Sequence, residues 1–266
     1  MIDKLSSIHP DARIGKDVEV SPFVRIYGDV EIGDGTWIGP NVTIMDGARI
    51  GKHYKIFPGA VISGDPQDLK YKGERTTAEI GDYTIVRECV TVNKGTQWSG
   101  FSRVGSHCML MAYAHVAHDC VIKDHAVLAN NVNLAGHIIV GEYAILGGLT
   151  AVHQFVNIGD HAFISGGSLV RKDVPPFVTA AREPLSYVGI NSTGLERRNF
   201  SAEQINRIND IYRIIFVKNH NLNRALSMVE EELPASSERE MILNFIRTSE
   251  RGIMKGFAEE HDHSAA

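Results

Sequence analysis

One feature constrains the fold of this chain more than any other: an aliphatic side chain returns at every sixth position between residues 8 and 170. From Ile8 the series runs Ile14, Val20, Ile26, Ile32, Ile38, Ile44, Ile50, Ile56 and Ile62 without a miss. It lapses at Asp68 and Glu74, resumes at Ile80, Val86 and Val92, and after Trp98 continues from Val104 to Val170. A helix would need a period near 3.6 and a half-buried strand a period of 2. A strict six belongs to a solenoid of hexapeptides. Small or β-branched residues precede the aliphatic by two (Ala12, Val18, Val24, Ala48, Ala60), and glycine often follows it (Gly15, Gly33, Gly39, Gly51, Gly81, Gly159). Each hexad therefore reads as a short strand plus a corner. The aliphatic points into a shaft, and Gly, Asn or Asp tolerates the corner's backbone angles. Three corners close a prism, so a coil takes roughly eighteen residues, and residues i and i+18 stack about 4.8 Å apart.

Two segments interrupt the count. The polar run Ser63 to Glu74 has no inward aliphatic and predicts a loop over 63–78 that projects from its own shaft, with its charges offered to a neighbouring subunit. A second excursion covers about Lys94 to Arg103. The repeat is expected to end at Val174-Pro175-Pro176, since proline cannot donate to a ladder. The period then becomes helical. Ser201 and Gln204 fit a capping box ahead of Ile205, Ile208, Ile211, Tyr212 and Ile215. Leu222, Leu226 and Val229 predict a second helix, and Ser237 to Glu240 cap a third that turns Ile242, Phe245, Ile246 and Ile253 inward. A frayed tail is expected from about Gly256, its two histidines no metal site. The domains are thus a β-helix over 1–190 and a helical domain over 191–266.

A net charge of −5 argues against a nucleic-acid binder. The start Met1-Ile2-Asp3-Lys4 does not resemble a signal peptide, and no apolar run is long enough for a membrane span. Cys108 and Cys120 fall on the small inward position, with no metal-type spacing, which suggests buried thiols in a reducing cytoplasm. Exposed apolar corners on a triangular shaft predict a homotrimer, whose closed symmetry would bury three equivalent faces.

The chemistry concentrates in Ala114-His115-Val116-Ala117-His118-Asp119-Cys120. Val116 is inward by phase, which leaves the histidines near a corner. The eighteen-residue stacking puts His118, Gly136 and Gln154 in one column and Asp119, His137 and Phe155 in the next. A histidine beside a glycine has open space and a bare N–H, a pairing suited to a general base next to an oxyanion donor. Asp119 either orients His118 or pairs with His137, and the sequence leaves both open. Histidines at corners are often mere decoration. A zinc site of His115, His118 and His137 is the other rival, disfavoured because it would leave the loop and the helical domain unexplained.

Six segments then carry a resemblance: Gln67-Asp68-Leu69-Lys70-Tyr71, His115 to Cys120, Leu134-Ala135-Gly136-His137, Ala151-Val152-His153-Gln154-Phe155, Asp173-Val174-Pro175-Pro176 and Gly194-Leu195-Glu196-Arg197-Arg198. In this order they resemble the UDP-N-acetylglucosamine O-acyltransferases, hexapeptide acyltransferases that open lipid A synthesis. The resemblance implies a left-handed parallel β-helix and transfer of a (3R)-hydroxyacyl group from acyl carrier protein to the sugar 3-hydroxyl. No cofactor is implied, since the donor carries its own 4'-phosphopantetheine.

By the same resemblance His118 is the general base and the Gly136 backbone holds the oxyanion. Asp68 and Lys70 contact donor or sugar, while His115, His137 and Gln154 line the sugar site. Asn191, Arg197 and Arg198 hold the nucleotide, the arginines offering permanently charged forks to a diphosphate. Gly148 and Gly166, eighteen apart, leave a bare strip for the acyl chain, with Gly166 as its ruler. The sequence departs from the family at Asn93, where histidine is common, and at Thr193, where an acidic residue is familiar. Asn93 cannot carry a proton and is left out of the catalytic set. The N-acylating sister enzyme carries an N-terminal uridine-binding domain for which this chain has no room. Coenzyme A-dependent acetyltransferases lack the Asp68 loop and the helical tail, and an ice-binding prism would rank threonines on one face.

Overall fold

The structure, a computed structural model, describes residues 1–218 and 221–256. The tail beyond Gly256, with its histidines, lies outside the described residues. From Ser7–Ile8 to Leu169–Val170 the chain winds a left-handed parallel β-helix of very short strands. Every third strand joins the same sheet, giving three flat sheets of nine, eight and eleven strands. The hexad aliphatics fill the shaft: Ile26, Ile38, Ile44, Ile56, Ile62, Leu110, Leu128 and Leu134 are all fully buried. Each such side chain contributes about 1.5–3 kcal/mol of burial, so the periodic series is itself the core.

The pairing is eighteen residues apart, as for His115 with Asn133, wherever no insertion intervenes. Across the first insertion Val61 pairs with Thr91, and across the second Val92 pairs with Val116, yet both ladders stay parallel. The extra residues leave the shaft as loops between the strands Val61–Gly64 and Thr77–Ile80, and between Thr91–Asn93 and Phe101–Val104.

The corners differ from expectation. The glycine directly after the aliphatic is there for closeness, not for unusual angles. A Cβ on Gly33 would lie 2.6 Å from the Gly51 carbonyl carbon and oxygen in the next coil. The left-handed position is the third after the aliphatic, and it is often aromatic rather than Gly, Asn or Asp. Along one corner it is held by His53, Tyr83, His107, His125, Tyr143, His161 and Phe177, whose rings stack at 4.4 to 5.5 Å. A non-glycine residue in this conformation costs roughly 1–2 kcal/mol, and each ring pair returns about 0.5–1.5 kcal/mol. Cys108 and Cys120 are buried as expected, and burial pushes their thiols to about 11 and about 12.

The shaft does not stop at the prolines. The strand Val178–Ala181 adds to the third sheet, and Ser186–Ile190 then turns back antiparallel to it. Among the described residues four α-helices follow: α1 (Ser192–Glu196), α2 (Ala202–Tyr212), α3 (Leu222–Glu232) and α4 (Ser237–Arg247), with a π-helical turn at Arg213–Val217. The capping box of α2 is complete, Ser201 with Gln204. The cap of α4 is Ser236, one residue earlier than the sequence suggested, because its Oγ reaches Arg239 N. The Tyr212 hydroxyl donates to Pro176 O at 2.5 Å, and Lys255–Gly256 pairs with Ser186–Ile190, so the helices are tied to the end of the shaft.

Candidate active site

Three strands of one sheet, Thr91–Asn93, His115–Val116 and Asn133–Leu134, lie in register and run into the same corner of the prism. There His137 N donates to His118 O at 3.1 Å, which stacks residues 135–138 on 117–120. Phase sends Val116 into the core, leaves His115 half-buried on the outer face of the sheet and brings His118 to the corner.

The His118 ring lies over Gly136. A Cβ at that position would come within 2.5 Å of His118 Cε1 and 2.7 Å of Nε2, so only glycine leaves room for the ring. Among the described residues the Gly136 N–H meets no backbone acceptor. On the other side of the ring, His118 Nδ1 stands 2.7 Å from Asp119 Oδ2, against 3.8 Å for His137 Nδ1. The alternative left open by the sequence is thereby decided: Asp119 pairs with His118.

Asp119 is itself held. Its side chain is fully enclosed, and its oxygens meet the N–H and hydroxyl of both Thr96 and Ser99. Burial works against the charge, but the bonds from Ser99, His118 and Thr96 outweigh it and bring the carboxyl down to about 2. His115 places Nδ1 2.7 Å from the Thr91 hydroxyl, and burial, with His118 nearby, lowers its pKa. His137 stacks on Phe155 at 4.4 Å and meets His118 edge to face at 5.1 Å. Its pKa is lowered first by burial, then by His118 and Lys70, with Asp119 and Asp68 opposing. Both shifts favour the neutral ring, which can accept as well as donate hydrogen bonds.

The 63–78 loop leaves the shaft at this same corner, after the strand Val61–Gly64, and the charges of its Asp68 and Lys70 bear on His137 of their own chain. The loop is fastened by Lys94, whose Nζ lies 2.8 Å from Asp65 Oδ1, and by Asn93, which donates to Asp65 O. Asn93 is thus buried and engaged beside the site, without a proton to move. Gln154 continues the His118 column and is exposed.

The other expected residues lie on other corners. Asn191 caps α1 through Gly194 N and donates to His161 O. Arg198 donates to Gly194 O and Tyr143 O and lies 4.8 Å over the Tyr143 ring. Both therefore fasten α1 to the aromatic corner, while Arg197 is exposed beside them. Gly148 and Gly166 lie on the third corner, where a Cβ on Gly166 would meet Gly148 O at 3.0 Å.

His118, Asp119 and His137 offer three ligand atoms within 4.8 Å of one another, not the His115 set weighed from sequence. The hydrogen bonds favour a proton-transfer site over a metal site, because five donors already occupy the Asp119 oxygens. Thr96, Ser99 and Trp98 were missed by sequence reasoning. They sit in the excursion that breaks the eighteen-residue count, so no stacking rule places them. Trp98 closes the corner edge-on to His137 at 5.5 Å.

Comparison with known proteins bears on the family and the fold. Residues 173–254 match the family model described as Udp N-acetylglucosamine O-acyltransferase, domain 2. Residues 29–64 and 101–136 match that of the bacterial transferase hexapeptide. The chain is 47% identical over 249 residues to the acyl-[acyl-carrier-protein]–UDP-N-acetylglucosamine O-acyltransferase of Myxococcus xanthus, covering 93% of this chain and 96% of that one. It is 43% identical to the enzyme of the same name from Stutzerimonas stutzeri, covering 96% and 99%. Among solved structures, a UDP-N-acetylglucosamine acyltransferase from Bacteroides fragilis superposes with a TM-score of 0.95 at 49% identity, covering 96% of this chain and all of that one.

Proposed function

This chain belongs to the UDP-N-acetylglucosamine O-acyltransferase family and is an acyltransferase, and on that premise we propose which reaction it performs and which residues perform it. The substrate pair is UDP-N-acetylglucosamine and a (3R)-hydroxyacyl-acyl carrier protein, and the reaction is the first step of lipid A synthesis. The observation that carries the mechanism is the His118 ring, fixed between the Asp119 carboxylate and the bare backbone of Gly136.

Asp119, an acceptor only, binds Nδ1–H and leaves the Nε2 lone pair toward the substrate. His118 Nε2 takes the proton of the sugar 3-hydroxyl as its oxygen attacks the thioester carbonyl. The Gly136 N–H, without another acceptor, stabilises the tetrahedral oxyanion. Collapse breaks the carbon–sulfur bond, and the leaving phosphopantetheine thiolate takes the proton back from His118. Neutral His115 and His137, with Gln154, bind the sugar; Asp68 and Lys70 flank it. Arg197 meets the diphosphate, and Asn191 and Arg198 build the surface on which it does so. No cofactor beyond the donor's own arm takes part.

The working unit we propose is a homotrimer. His118, the Arg197 surface and the Gly148–Gly166 strip serve one reaction but stand on three different corners of one prism. Neighbouring prisms bring unlike corners together. The third corner also exposes Phe23, Tyr113 and Leu149, each more than half accessible, as a face of this kind requires. Among the described residues no helix is long and apolar enough to cross a membrane, and a cytoplasmic enzyme meeting a soluble carrier protein fits that.

The test is transfer itself: labelled UDP-N-acetylglucosamine and its 3-amino analogue, each with a panel of hydroxyacyl carrier proteins. His118→Ala should lower turnover roughly 10²–10⁴-fold, the range of a positioned base. Transfer from no donor, or full turnover in His118→Ala, would overturn the assignment.

A further inference from the structure

Thr96 and Ser99 lie on the loop that leaves the shaft after Thr91–Asn93, outside the hexapeptide count. We propose that the two are positioning residues of the active site, clamping Asp119 so that His118 is held in its Nδ1–H form. The proposal rests on His118 being the base, as argued above, and extends it to the loop that follows Thr91–Asn93.

The loop has the construction such a clamp needs. It returns to the shaft so tightly that a Cβ on Gly95 would lie 2.4 Å from Phe101 N, and it turns at Gly100, with φ 80°. Thr96 donates its N–H to Asp119 Oδ1 at 3.0 Å and its hydroxyl to Oδ2 at 2.7 Å. The same hydroxyl oxygen accepts from Trp98 N at 3.2 Å, which directs its own proton to the carboxylate. Ser99 donates its N–H to Oδ1 at 3.3 Å and places its hydroxyl against the same oxygen.

Amide N–H groups can only donate, so Oδ1 is an acceptor, and the Thr96 hydroxyl makes Oδ2 one as well. A carboxyl in that surrounding is ionised, and an ionised carboxylate can only accept from Nδ1–H. A neutral Asp119 would be free to donate to Nδ1 instead, putting the ring proton on Nε2, where the substrate proton must go. The Asp119 side chain is fully enclosed, so without these donors burial would drive it toward the neutral form. The position of its pKa, about 2 in spite of burial, agrees with the balance of contacts.

The experiment uses full-length enzyme and two readouts. Side-chain nitrogen NMR of His118 reports its tautomer, and steady-state kinetics separate kcat from KM. We expect the wild type to show Nδ1–H. Thr96→Val with Ser99→Ala should give a mixture of tautomers and a kcat lower by about 10–100-fold, with KM for the sugar nucleotide within about threefold. Thr96→Ser should restore both tautomer and kcat, since it returns the hydroxyl. Wild-type enzyme with the proton on Nε2 overturns the proposal without any variant, which covers a double variant that fails to fold. A folded double variant with wild-type kcat and tautomer also overturns it. If His118→Ala retained full activity the base assignment would fail instead, and the tautomer result would stand apart from it.

Discussion

The tight packing of His118 on Gly136 gives the sharpest prediction, Gly136→Ala. Gly136 does not occupy the left-handed region, so alanine can take its backbone conformation without strain. Its Cβ would stand 2.5 Å from His118 Cε1, whereas ordinary van der Waals contact begins near 3.4 Å, so the ring must retreat by close to 0.9 Å. The bond from Nδ1 to Asp119 starts at 2.7 Å, and a retreat of that size stretches or bends it beyond useful hydrogen-bond geometry. A misplacement of about 1 Å in a catalytic group costs about 10²-fold, and loss of the orienting bond adds to this. We expect kcat to fall about 10²–10³-fold, or roughly 3–4 kcal/mol in the barrier. Folding should change little, because the gain of about 0.4–1 kcal/mol from replacing a glycine offsets part of the cost of moving one ring. The alanine keeps its N–H, so the variant isolates ring placement from oxyanion binding. The assay is kcat with saturating donor and sugar nucleotide, beside a thermal melt. A variant with a wild-type melting point and a kcat within threefold of wild type would show that the His118 position seen here is not the working one.

Gly166→Met should shift donor preference toward shorter hydroxyacyl chains, read as relative kcat/KM across donors. Excluding about three methylenes at about 0.8 kcal/mol each amounts to roughly 50-fold, and an unchanged length profile removes Gly166 from the groove. Mixed trimers of inactive His118→Ala and inactive Arg197→Ala chains should regain part of the activity, because those residues stand on different corners. His118→Ala mixed with Lys70→Ala should not, because both act on one corner of one chain; the reverse pattern refutes the corner assignment. His161, whose pKa burial and then Arg198 push down to about 4, favours its neutral form in the folded state. Its stabilisation is therefore full above about pH 6.5 and lost as pH falls toward 4, by about 1–2 kcal/mol after allowance for its part exposure. Denaturant melts of His161→Phe, which suits a slot between Tyr143 and Phe177, should lack that part of the acid loss.

How much of this was legible in the sequence follows from what a stacking rule can and cannot do. The hexad phase identifies inward residues, and the eighteen-residue count identifies columns. The shaft, the pairing of His118 with Gly136, and that of His137 with Phe155 were therefore readable. A column says nothing about which way a side chain leans between columns, and so the partner of Asp119 could not be chosen. The aromatic corner was readable and was missed. The third residue after the aliphatic, taken along one corner, spells out His53, Tyr83, His107, His125, Tyr143, His161 and Phe177, two places beyond the glycines that mark the strand ends. Asn191 and Arg198 look alike in sequence whether they hold a nucleotide or a helix, and only Gly194 and the Tyr143 carbonyl reveal the second task.

Thr96 and Ser99 show where the rule ends, and why the site needs what lies beyond it. A regular solenoid offers each corner residue only the coil above, the coil below and solvent. None of these supplies four donors to one buried carboxylate: at a regular corner Asp34, Asp82 and Asp124 each receive a single backbone N–H from the neighbouring coil. An enclosed anion at a corner therefore demands a segment that leaves the repeat and comes back, and the extra residues between Asn93 and Phe101 are that segment. The same reasoning accounts for the first insertion, which brings Asp68 and Lys70 to the same corner while Lys94 and Asn93 hold its base. The repeat builds a rigid column for His118 and Gly136. The two breaks in the repeat occur within two coils of that column because the regular fold cannot otherwise provide the charge the chemistry needs.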